Sequence, residues 1–128
     1  MTTDITKGVK VSVETEYQQE YSNPAQQHFV FTYKVTIENL GDKTIQLKTR
    51  HWEIFDAGFP NRIVDGEGVV GKQPVLEPGE SHQYVSGCNL RSGIGKMKGF
   101  YSMEKTIDGT KFNAKIPEFN MVVPFKLN

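Results

Sequence analysis

Gly66-Glu67-Gly68-Val69-Val70-Gly71 has the spacing G-x-G-x-x-G. In a dinucleotide-binding fold that pattern opens a helix whose N-terminus holds a pyrophosphate. Here it is followed by Pro74 and Pro78, and two prolines four residues apart forbid such a helix. A kinase glycine loop lies between strands and fits locally, but the chain is far too short for a kinase and lacks its catalytic Asp and metal-binding motifs. The glycines then read first as turn residues and close backbone approaches. One chemical use survives. Successive backbone amides can form an anion-binding nest. Gly66, Gly68 and Gly71 would supply the loop, and Lys72, Arg62 and Arg91 the positive charge, for a phosphate- or pyrophosphate-containing small molecule.

The other reactive side chains form no constellation. His28, His51 and His82 each fall on a different expected strand, and no pair has metal-ligand spacing. Asp56, Asp65 and Glu67 lie in no EF-hand-like loop. Cys88 is the single cysteine, which excludes an internal disulfide framework and a Cys-rich zinc site. It reads as a small buried residue. No G-x-S-x-G elbow and no paired-carboxylate motif is present. The expectation is a non-enzyme with no catalytic residues, no resident metal and no cofactor.

Lysine plus arginine and aspartate plus glutamate number 15 each, for a formal net charge of zero. Nucleic-acid binding needs a cationic excess, so it is not expected. No stretch approaches the roughly 20 apolar residues of a membrane span. Met1–Lys10 lacks the apolar region of a secretory signal, and a lone thiol fits a reducing compartment. A cytoplasmic protein is expected, with a protein partner still to be identified and a homodimer as one candidate assembly.

The elements that must position these residues are strands. Valine plus isoleucine number 20, leucine plus alanine only 8, a balance that favours strands. Apolar residues alternate with period two at Val9, Val11 and Val13, and again at Phe29, Phe31, Tyr33, Val35 and Ile37. The latter run is expected to be a central strand. Parity changes between Leu47 and Trp52, which places a β-bulge near Thr49–His51. Trp52 is expected to be the main core aromatic, and Arg50 to meet a carboxylate or a loop carbonyl. Of Phe100 and Tyr101, one should face the core and one the surface. Arg62–Val64 reads as a short strand and Glu77-Pro78-Gly79-Glu80 as a turn. Phe112–Ile116 should be a strand ended by Pro117, and Phe119–Phe125 the last one, with Pro124 at an edge or a frayed end. The 128 residues support one domain, with a core over about 9–125. Eight or nine short strands separated by turns predict an antiparallel β-sandwich, with a barrel as the alternative.

The chain resembles the ApaG family (DUF525 domain). The resemblance runs from about Val9 to Pro124. It is dense in Arg50-His51-Trp52, Gly66–Gly71, Gln73-Pro74, Leu76, Pro78-Gly79-Glu80, Ser86-Gly87-Cys88 and Ile116-Pro117-Glu118-Phe119. Lys72 departs from the acidic or amide residue usual at its position, and Asp56–Asn61 from the usual tight turn. The resemblance implies an immunoglobulin or fibronectin type III-like sandwich and a genetic link to Co²⁺ resistance and Mg²⁺ efflux. It brings no established catalytic residues. With no membrane span and no ligand cluster, any part in ion efflux would be indirect, through a partner protein.

Overall fold

Alternation decides the first sheet. Every second residue of β3 (Phe29–Asn39) is buried, from Phe29 to Asn39. Its apolar face needs neighbours on both sides, and it has them. β2 (Val9–Tyr17) and β7 (Ser81–Leu90) pair with it antiparallel. β1 (Thr2–Thr6) extends this sheet through the Lys7-Gly8 turn, both residues of which have positive φ. That backbone twist suits a two-residue hairpin. The computed structural model describes residues 1–126.

The second sheet is built on β4 (Ile45–Asp56), with β8 (Ile94–Lys105) and then β9 (Lys111–Val122) on one side. On the other side β5 (Arg62–Glu67) pairs with Thr49–Ile54, and β6 (Val75–Leu76) with Ile45 and Gln46. The orders β1-β2-β3-β7 and β5-β4-β8-β9 make a fibronectin type III-like antiparallel sandwich with an added edge strand. The described residues contain no α-helix and three short 3₁₀ turns, Gln19–Tyr21, Pro24–Gln26 and Pro124–Lys126.

The core lies between the sheets. Trp52 is 3% exposed and its ring meets Tyr33 and Phe119, with centroids at 5.3 and 6.0 Å. Tyr101 is buried, and Phe100 stacks on His51 at the opposite face. Two buried polar residues pin the sandwich ends. Asn39 donates to the carbonyls of Lys43 and Leu76. The Asp56 carboxylate accepts from the amides of Arg91 and Ser92 and from the Ser92 hydroxyl.

Three local expectations change. The bulge lies at Lys48, just before the expected stretch, because the β4–β8 register slips between Leu47 and Thr49. Pro117 does not end a strand. β9 runs through it, and the β8–β9 register slips between Met97 and Gly99. A proline is tolerated there because a bulge needs no ladder donor. The last strand ends at Val122, and Pro124 opens a 3₁₀ turn.

Candidate functional site

The glycine segment is an excursion from the edge of β4. β5 and β6 cover two stretches of that edge, and the chain between them passes the bulge at Lys48. The Lys48 carbonyl, freed by the bulge, accepts from the Gly68 amide at 2.9 Å and from Gln73 Nε2 at 2.9 Å. Val69 and Lys72 exchange backbone hydrogen bonds of 2.8 and 3.0 Å, closing a two-residue turn over Val70 and Gly71. Both turn residues have positive φ, 48° and 75°, the signature of a type I′ turn. Val69 is buried and anchors the turn to the core. Gly66, expected in the loop, belongs to β5 instead.

The Arg50 guanidinium packs against Gly66. A Cβ there would lie 2.7 Å from the guanidinium carbon. Arg50 Nη1 donates to the carbonyls of Glu67 and Gly68, each at 2.9 Å. The segment therefore turns carbonyls toward a cation, while the amides of Gly68, Val69 and Lys72 are already engaged. That is the opposite polarity to an anion nest.

Arg50 also lines a cleft. β9 packs on β1 and β2 at one side of the sandwich. At the other side β5 and β7 do not pair, and an open gap of about 320 Å³ separates them. Arg62 spans it, donating from Nη2 to the Asn89 carbonyl and lying 3.8 Å from Cys88 Sγ. Trp52 and Val64 form one wall, Tyr33 and Ser86 part of the other. Burial raises the Tyr33 phenol pKa against the opposing hydrogen bond from Ser86. Burial likewise pushes the Cys88 thiol up, with Arg62 pulling it down. Tyr84 and Tyr101, hydrogen-bonded to each other behind the cleft, are both raised by burial.

The expected charges are not gathered at one place. Lys72 sits at the turn and, after burial, helps to lower the His82 pKa. Arg91 lies over the Phe59 ring at 4.5 Å, with its amide on Asp56. The turn is held at Lys48, so about eight residues of extended β4, roughly 26 Å, separate it from Arg91. Of the sequence candidates, Arg62 alone lines the cleft. His51 hydrogen-bonds Asp65 at 2.5 Å on the outer face of its sheet. Among the described residues no three His, Cys, Asp or Glu side chains are placed to share a metal ion, and no helix is long and apolar enough to cross a membrane.

The cleft was legible only in part. Arg50 has the inward parity of Trp52, and Arg62 that of Val64 and Gly66, and a charge at an inward position is the available signal. That Ser86 and Cys88 of β7 stand opposite is a property of the topology.

The turn makes a graded prediction. Gly68 has φ 62°, and a Cβ on it would collide with the Lys72 carbonyl. Gly71 has φ 75° with open space around it. Gly71→Ala should lower unfolding free energy by roughly 1 kcal/mol, the left-handed penalty alone. Gly68→Ala should cost at least about twice that, because backbone must also move. Chemical denaturation of both variants measures the difference, and equal losses would contradict the packing described here.

Comparison with known proteins agrees with this architecture. The ApaG domain family (DUF525) matches residues 19–105. Protein ApaG of Shewanella sediminis is 44% identical over 126 residues, which cover 98% of this chain and 99% of that protein. Protein ApaG of Brucella abortus is 47% identical over 120 residues, covering 94% and 92%. A crystal structure described as that of an ApaA protein from Bordetella pertussis superposes with a TM-score of 0.87 at 42% identity, covering 95% of each chain. Matched from end to end by such relatives and carrying the family's domain on the fold they share, the chain belongs to the ApaG (DUF525) family.

Proposed function

We propose that the chain is a non-enzymatic interaction module that engages a protein partner through the turn Val69–Lys72, and that its effect on Co²⁺ and Mg²⁺ handling is exerted through that partner. The observation that carries this reading is Val70. A β-branched residue at φ 48° is a conformational outlier, and this one is 64% exposed. Asparagine or glycine would serve the turn better. The fold gains nothing from an apolar, strained side chain in water, whereas a partner would gain a fixed apolar contact. The turn is also rigidly held, by Val69 in the core and by Arg50 on its carbonyls.

Val70→Asn is the test. The variant should be more stable by roughly 0.5–1 kcal/mol, since asparagine tolerates the left-handed region. It should also recover less of the partner from native cytosol and show reduced cobalt tolerance in cells. Lys72→Glu, an exposed charge change, should leave stability within about 0.5 kcal/mol and weaken partner recovery too. Full partner recovery and full cobalt tolerance by both variants, at normal protein levels, would sink the proposal.

A further inference from the structure

We infer that the cleft between β5 and β7 is a binding site for a small organic anion, a carboxylate or phosphate ester on an apolar body, gripped by Arg50 and Arg62. The chain has three arginines, and two of them line this one cleft. Neither takes part in any of the ion pairs among the described residues. No aspartate or glutamate lines the cleft.

Each guanidinium is already oriented. Arg50 is held through Nη1 by two carbonyls, and Arg62 through Nη2 by the Asn89 carbonyl. A guanidinium has five donors, so each keeps its Nε and second Nη for a ligand. Neutral carbonyls fix a guanidinium without cancelling its charge, and fixed planar donors suit carboxylate and phosphate oxygens. Arg50 is half-buried and Arg62 is exposed at the cleft mouth, so an anion entering the cleft meets one partly desolvated and one accessible guanidinium. No carboxylate lines the cleft to cancel these charges, which leaves both available to an anionic ligand. The rest of the lining sets its class. Ser86 and Asn89 add polar groups to the lining, Val64 is its exposed apolar side chain, and Trp52, Ile54 and Met97 form a buried apolar floor; about 320 Å³ admits a small organic molecule. Val70 and Lys72 do not line the cleft, so this site stands or falls separately from the partner turn.

Trp52 is the chain's single tryptophan and reports occupancy by its emission. The probes are phenyl phosphate and 3-phenylpropionate, titrated at constant ionic strength beside inorganic phosphate and benzyl alcohol. At least one aromatic anion should produce a saturable change at millimolar concentration or below, and which of the two binds tighter identifies the headgroup. Inorganic phosphate and the neutral alcohol should bind more weakly. Arg62→Gln and Val64→Glu should each weaken binding by about tenfold or more, through loss of a charged donor and through a carboxylate placed beside the arginines. Val64 is 39% exposed on an edge strand, so its variant decides the matter if Arg62→Gln fails to fold by circular dichroism. No saturable response to either anion, an equal response to benzyl alcohol or inorganic phosphate, or unchanged affinity in Val64→Glu would overturn the site.

Discussion

Trp52→Ala is expected to lower the unfolding free energy by roughly 3–5 kcal/mol, the range for truncating a large buried aromatic. The indole is 3% exposed, and it packs across the sandwich on Tyr33 of β3 and beside Phe119 of β9. Its loss removes apolar burial and two edge-on aromatic contacts together, and the flanking strands are hydrogen-bonded on both sides of β4, so they cannot close over the void. Urea unfolding followed by far-ultraviolet circular dichroism measures the change. A midpoint that stays in place would show that the sheets collapse around the gap.

Gly99→Ala should destabilise on the same scale, by about 3 kcal/mol or more, for the opposite reason. Gly99 lies opposite Trp52 in the β4–β8 pair and opposite Ile116 in the β8–β9 pair. A Cβ there would overlap the backbone carbonyl of His51. No side chain can swing aside to make room, so β4 and β8 must separate in the middle of their sheet. The control is Gly71→Ala, at an open turn position. If Gly99→Ala lost no more than that variant, the central strands would have slack that their register does not suggest.

The contrast between these sites shows what the amino-acid order makes legible. β3 could be read residue by residue because one of its faces is buried from end to end, and burial writes itself as alternation. β1 could not. None of Thr2–Thr6 is fully buried, and the strand is held by pairing with β2 rather than by an apolar face. Pro117 reads as a stop wherever a ladder donor is required, and only the bulge opposite Lys98 removes that requirement. The site divides in the same way. Pro74 and Pro78 rule out a helix after the glycines, and the segment is indeed a turn. Arg62 and Arg91 looked equivalent as charges near a loop. Their separation follows from where β7 and β5 end relative to β4, a long-range property with no local signal.

The pairing of β3 with β7 also bears on how the chain reaches this structure. β1 and β2, and β8 and β9, are sequence neighbours that can zip together from short connections. β7 instead crosses back to β3 after β4, β5 and β6 have joined the other sheet, so Glu38 meets Ser81 only after about forty intervening residues are closed into a loop, an entropic debt met before any contact repays it. Folding should therefore run on the millisecond-to-second scale of such sandwiches. The β8–β9 hairpin can form early, while β3 waits with one edge of Phe29, Phe31 and Tyr33 unpaired. In that interval the nascent chain is most open to self-association along this β3 edge.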